Sequence, residues 1–214
     1  MTKWSGYKTT LIEALDGVLG TEGFQWLSPW SQFRKTMPRG FINLVLSFSD
    51  YDDGVMVEGH CGLRSDAVEE TVFKYTRGLR GFEAHSHTLI TSLGKLGGKP
   101  FERYLVQSDD EARNTAAVLI EAIEERARAF WVEYQELEAL DRLFNQHADQ
   151  PSPLINNRAQ SFLRGVTVAT LLQKSEFEAL VAAHRDRLKA SHPNPMVVDG
   201  YEALVAQLRG HWVH

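Results

Sequence analysis

A run of apolar residues from Ser108 to Phe144 constrains this chain more than any other feature. Ala112, Ala116, Leu119, Ile120, Ile123, Ala127, Phe130, Trp131, Tyr134, Leu137, Leu140 and Phe144 fall in steps dominated by threes and fours. That spacing is the signature of one buried helical face. Ser108 with Glu111 forms a capping box, in which the hydroxyl takes an orphan amide and the carboxylate reaches back. Asp109 and Asp110 add negative charge where the helix dipole favours it. No Gly or Pro interrupts the run. A straight helix of this length would reach roughly 55 Å, long for a small domain. A bend or break is therefore expected near Phe130-Trp131, turning the chain onto a second surface.

Upstream the period changes from helical to alternating. Ser5–Leu19 carries Leu11, Leu15, Val18 and Leu19 on one helical stripe, stopped by Gly20 and Gly23. Short strands are expected at 24–27 and at 32–37, the latter edge-like. In 41–49, Ile42, Leu44, Leu46 and Phe48 share one face, with Asn43, Ser47 and Ser49 on the other. Asp50-Tyr51-Asp52-Asp53-Gly54 reads as a hairpin turn. In 55–63, Val55, Val57, Cys61 and Leu63 face one way; Met56, Glu58, His60 and Arg64 face the other. Asp66 with Glu69 opens a short helix closed by Gly78. Strands are expected at 85–92 and 101–106, with a loop at 94–100. Pro151-Ser152-Pro153 is the one convincing linker. Beyond it lie three helical patterns, marked by Phe162, Val166 and Ala169, then by a start at Ser175, then by a start at Asp199.

This order predicts an α+β fold. An antiparallel meander is covered by helices on one face, a long capped helix spans 108–145, and a helical extension follows. Residues 1–147 are expected to form the α+β domain, and 151–214 to pack on the long helix as part of one compact unit.

Composition narrows the function classes. With 43% hydrophobic and 24% charged residues, the chain belongs among ordinary globular proteins. A net charge of −5 argues against general nucleic-acid binding. The charge is uneven: 151–214 carries seven Lys/Arg against five Asp/Glu, whereas 1–150 carries sixteen against twenty-three. No apolar run suits a membrane span, and the first residues lack the core of a signal peptide. The single cysteine, Cys61, rules out an intrachain disulfide and fits a reducing cytoplasm.

No stretch carries a specific chemical signature. His85 and His87, two apart on an expected strand, would point the same way and share an ion, with His60 as a third ligand. The bland alternative is three surface histidines, since no known ligand spacing is met. Asp50, Asp52 and Asp53 lack the distal Glu of a calcium loop and read as turn. The 94–100 segment is rich in Gly and Lys but lacks a P-loop ending. With Arg77, Arg80, Lys95 and Lys99 it makes a local basic patch suited to an anion, or simply to water. Cys61 falls on the apolar face as a buried, inert thiol. Glu124 and Glu125 lie off the apolar stripe. His184, Trp131, Tyr134 and Trp212 lie on apolar stripes and read as core. No nucleophile, base and support stand together, so the residues argue against a self-contained enzyme, and no cofactor is expected.

Two segments carry a resemblance. GFQW…FRKTMPRGFINLVLSFS followed by YLVQSDDEARNTAAVLIEAIEERARAFW resembles a group of uncharacterised bacterial proteins classed as domains of unknown function. A helix, a Gly-Phe start to the sheet, an Ile-Asn-Leu strand and a Ser-Asp/Glu-capped helix recur in them. The resemblance covers about residues 8–145 and implies no catalytic residues. Some members resemble cargo of toxin–immunity or phage-defence neighbourhoods, which implies a binding role.

The function expected is thus a cytoplasmic bacterial protein-interaction module, immunity-like or accessory, that docks a protein through Asn43, Met56, Glu58, His60 and Arg64. A homodimer is compatible with such a surface. The alternatives are a metal-dependent hydrolase on His60, His85 and His87, and a small-molecule carrier with a pocket between sheet and long helix.

Overall fold

The computed structural model describes residues 4–76, 81–146, 152–192 and 194–210. In chain order the elements are α1 (Ser5–Leu19), β1 (Gln25–Leu27), β2 (Gln32–Met37), β3 (Gly40–Asp50), β4 (Val55–Ser65), α2 (Asp66–Val72), β5 (Leu89–Ser92), α3 (Leu93–Leu96), β6 (Tyr104–Val106), α4 (Asp109–Ala122), α5 (Arg128–Tyr134), α6 (Leu137–Asp141), α7 (Arg158–Leu171), α8 (Phe177–Ser191) and α9 (Pro195–Gly210). The fold is α+β, with one antiparallel sheet ordered β1-β2-β3-β4-β5 and β6 also paired to β4. No helix among the described residues is long and apolar enough to cross a membrane.

The chain divides into two compact units. Unit 1 comprises residues 1–63 and 90–132; unit 2 comprises 64–89 and 133–214.

In unit 1 the alternation written in β3 and β4 becomes a buried face. Leu44, Leu46, Val55, Val57, Cys61 and Leu63 are all at most 2% exposed. Strand β2 joins the same face through Phe33, whose register partner is Leu44. β1 pairs outside β2, so β2 is an inner strand and not the expected edge. Helices α1 and α4 pack on each other through Leu11, Leu15 and Leu19 against Ala112, Ala116 and Leu119. The helical layer approaches β4 closely at Gly59, where an added Cβ would stand 2.8 Å from the Leu93 side chain and 3.0 Å from that of Leu119. Any larger residue there would push these two side chains aside. The Ser108 cap forms, with its hydroxyl accepting from the Glu111 amide at 3.2 Å. The Glu111 carboxylate reaches one residue further back than a simple box requires, taking the Gln107 amide at 2.6 Å.

The long run does not bend at Phe130-Trp131. Both rings are 3% exposed, and the Trp131 indole donates to the Gly62 carbonyl at 3.0 Å, so the pair anchors the helix in the unit 1 core. Instead, a π-helical segment at Ile123–Ala127 adds a residue to the turn. The break comes at Glu136, extended at φ −84 and ψ 133. Gln135 and Glu136 are exposed there, so leaving the helix uncovers no core. Tyr134, Leu137 and Leu140 keep their spacing across the break, which is why periodicity alone hides it.

In unit 2, α7 is central. It contacts α2, α6, α8 and α9, and ten of its residues from Ala159 to Ala169 are buried. A helix buried nearly all round carries more than the single stripe of Phe162, Val166 and Ala169. Around it pack Val68 and Val72 of α2, Leu140 of α6, Phe144, Phe177, Val181 and Leu188 of α8, and Tyr201, Leu204, Val205 and Leu208 of α9. Two starts differ from expectation. α8 begins at Phe177, because the Ser175 hydroxyl bonds Glu176 at 3.0 Å instead of capping. α9 begins at Pro195, where proline suits a first turn. Gly78 and Trp212 lie outside the described residues.

Candidate interaction surface

The polar side of β4 comes to the surface where β6 lies alongside it. Register places Met56 opposite Leu105 and Val57 opposite Tyr104. Partners in an antiparallel pair share a face, so Leu105 lies beside Met56, with Arg103 and Phe101 continuing the outward alternation. Arg103 reaches Glu58 at 2.8 Å, and its guanidinium lies 5.4 Å from the centre of the Phe101 ring. Phe101 is 72% exposed and Leu105 38%. The Leu105 side chain also abuts the hairpin turn, where a Cβ on Gly54 would meet it at 3.1 Å. That turn presents Tyr51, 53% exposed, between the exposed carboxylates Asp50, Asp52 and Asp53. Gln107 ties Asp53 to the start of α4 through its side-chain amide, at 3.1 and 3.2 Å. Burial lowers the pKa of His60; Glu58 opposes that shift, and the charges of Arg103 and Lys95 add to it.

Met56, Glu58 and His60 are thus half-buried residues of this surface. The other two of the expected five are not on it. Asn43 is fully buried, with its side chain donating to the Gln32 carboxamide, so it is not part of the surface. Arg64, 8% exposed, belongs to unit 2. Its guanidinium is spent on Asp66 at 2.6 Å, the Glu83 carbonyl at 2.7 Å and the Ser86 hydroxyl at 2.5 Å. Phe101 and Leu105 went unnoticed as site residues. The alternation of Phe101, Arg103 and Leu105 against Tyr104 and Val106 was the available signal, but both sets contain apolar residues.

The histidine set does not form as expected. His85 ends a 3-10 turn at Glu83–His85, His87 is in irregular chain, and the strand begins only at Leu89. The two histidines therefore lack the shared strand face that would aim them at one ion. His60 lies in unit 1 and the other two in unit 2. Among the described residues, no group of three His, Cys, Asp or Glu side chains is placed to hold a metal ion.

The basic patch changes character too. Arg77 and Arg80 lie outside the described residues. Of the expected 94–100 loop, residues 94–96 belong to helix α3, capped by the Ser92 hydroxyl on the Lys95 amide at 3.3 Å, and 97–100 are turn and irregular chain. The amides of Gly97, Gly98 and Lys99 bond to carbonyls of Leu93, Gly94 and Lys95, leaving that turn without a phosphate cradle. Lys99 pairs with Glu102 at 2.9 Å, and Arg126 reaches the other oxygen of Glu102 at 2.8 Å. Burial would raise the Glu102 pKa, but these two cations hold it below the usual carboxylate value.

Cys61 is buried, and desolvation pushes its thiol up to about 12, so no thiolate forms near neutral pH. His184 is fully buried in unit 2. Its Nε2 lies 2.7 Å from the Asn145 carboxamide oxygen, and Asn145 in turn donates to Asp141 at 2.8 Å and to the Gly165 carbonyl at 3.0 Å. A Cβ on Gly165 would stand 2.5 Å from the Asn145 oxygen and 2.9 Å from His184 Nε2, so the pair requires glycine there. Burial, then the charge of Arg187, lowers the His184 pKa to about 4. The unfolded chain binds this proton near pH 6.5, whereas the folded chain does not until about pH 4. Stability is accordingly complete above pH 6.5 and falls on acidification, by up to about 1.4 kcal/mol per pH unit. Urea unfolding between pH 6.5 and 5 should show this slope, flattened in His184→Gln. An equal slope in both proteins would contradict it.

Comparison of the chain with protein-family models, with curated proteins and with solved structures finds no match.

Proposed function

We propose that this chain is a cytoplasmic bacterial protein-interaction module, and that it docks its partner through the outward face of β4 and β6 in unit 1. The observation that carries this reading is the exposure of Leu105, opposite Met56 in the register, and of Phe101, just before β6, near the turn that exposes Tyr51. Large apolar groups gathered at the surface and rimmed by charges have the composition of a protein interface, with an apolar centre and a polar border. The rim here is Asp52, Asp53, Glu58 and Arg103. The carboxylates of the turn, with Asp109, Asp110 and Glu111 at the start of α4, favour a partner with a basic surface, since complementary charge speeds and orients docking. The resemblance to uncharacterised bacterial domains, some from toxin–immunity neighbourhoods, points the same way, and a toxin held by its immunity protein is a pair of this kind.

Phe101 is mostly exposed, whereas Leu105 is 38% exposed and touches the hairpin turn, so the melting temperature is measured beside binding. Affinity capture from the native host should recover a stoichiometric protein partner with the wild-type chain. Phe101→Asp with Leu105→Asp should weaken binding at least about tenfold, as expected for residues at an interface centre, in a protein whose cooperative melt shows that the fold is kept. Full retention of the partner by the double variant would place the interface elsewhere. A capture that recovers no protein would sink the reading.

A further inference from the structure

We infer that unit 2 holds a second site, independent of the docking face: a cavity for a small uncharged molecule with a hydrogen-bond-acceptor edge and an apolar face, of the cyclic-amide or nucleobase kind. The cavity, of about 270 Å³, lies between the start of α7, the start of α9 and the turn that ends at Tyr75. It is smaller than the pockets that take drug-sized ligands. It also lies among helices, whereas the sequence suggested a pocket between sheet and long helix.

Its chemistry follows from which atoms the protein has already used. Ala159, Leu163 and Val197 form the apolar wall, and Asn157, Gln160 and Asn194 are the amide side chains that line it. Each amide oxygen is taken. Asn157 accepts from the Gln160 amide at 3.1 Å, Gln160 from the Arg164 guanidinium at 3.1 Å, and Asn194 from the Met196 amide at 3.0 Å. Backbone N–H groups and guanidinium only donate, so these contacts settle which end of each carboxamide is oxygen. Each amide therefore has its NH2 left to offer. The Tyr75 hydroxyl is engaged by Gln207, and the Thr76 hydroxyl donates to the Phe73 carbonyl at 3.0 Å. Among the described residues, no Asp, Glu, Lys, Arg or His lines the cavity. An ion entering it would lose water without gaining a countercharge. A neutral ring bearing carbonyl or ring-nitrogen acceptors can accept from these carboxamide NH2 groups and cover Leu163 and Val197 with its face.

The test is NMR on the full chain with labelled Leu and Val methyls and labelled side-chain amides. The neutral probes are uracil and 2-pyridone; benzoate and benzylammonium are the charged probes. The neutral pair should shift the Leu163 and Val197 methyls and the Gln160 NH2 saturably, and the charged pair should not. Leu163→Trp, which fills the cavity, should abolish the shifts. If that variant fails to fold, Val197→Phe takes its place. Gln160→Glu keeps the acceptor for Arg164 but turns the free donor into an acceptor, and should weaken uracil binding at least tenfold. The inference is overturned if neutral probes leave these signals unmoved up to their solubility, if charged probes bind as well, or if filling the cavity leaves the shifts in place.

Discussion

A chain ending at Gln150 is expected to lose the fold of unit 2 and expose its core. Of that core, only Val68, Val72, Leu140 and Phe144 precede residue 151; Phe162, Leu163, Val166, Phe177, Val181, Leu188, Tyr201, Leu204, Val205 and Leu208 follow it. Removing α7 also removes the element that every other helix of the unit packs against, apart from the α8–α9 contact. Each large side chain taken from water contributes about 1.5–3 kcal/mol, so losing ten exceeds the net stability of an ordinary domain, about 5–15 kcal/mol. Hydrophobic-dye binding should rise, and limited proteolysis should cut within 64–89 and 133–150. Unit 1 keeps its own core, so the melt of the whole chain is not the readout. Protease resistance of 64–89 without dye binding would show that this segment does not depend on the tail.

Glu69→Ala is expected to destabilise unit 2 by about 3–5 kcal/mol, because it strands a buried cation. Glu69 is 1% exposed and holds Arg164 with both oxygens, at 2.7 and 3.2 Å. Arg164 also donates to the His87 carbonyl at 2.6 Å and to Gln160 at 3.1 Å. Without Glu69 the guanidinium keeps two neutral acceptors but loses its countercharge in a site that is 8% exposed. The double change Glu69→Leu with Arg164→Met should recover most of the loss, since a packed apolar pair is often as stable as a buried ion pair. Urea unfolding of the two variants decides it. A single variant within 1 kcal/mol of wild type would mean that water or a neighbouring carboxylate already screens the guanidinium.

Legibility followed the range of the interactions. The faces of β3 and β4 were readable because alternate residues must share a side of a pleated strand, and Leu44, Leu46, Val57 and Cys61 are buried as that rule requires. The Ser108 cap was readable because its partners lie within three residues. Asn43 was misplaced because alternation assigns a face but does not say what covers it. The break at Glu136 escaped because the apolar spacing runs on through it. For the docking surface, the half on β4 was visible as polar positions. The half on Phe101 and Leu105 needed the pairing of β6 to β4 across 47 to 51 residues.

By itself, the sequence determined the element types, the buried faces of the central strands and the capped start of the long helix, all set by local geometry and period. Only the tertiary structure decided that Glu69 meets Arg164 across 95 residues, that Asn145 and His184 share the space left by Gly165, and that three carboxamides with their oxygens engaged line one cavity. These are contacts between segments distant in the chain. Any exposed Glu, Asn or Gln has the same local pattern as a buried one, and burial depends on what the rest of the chain brings against it.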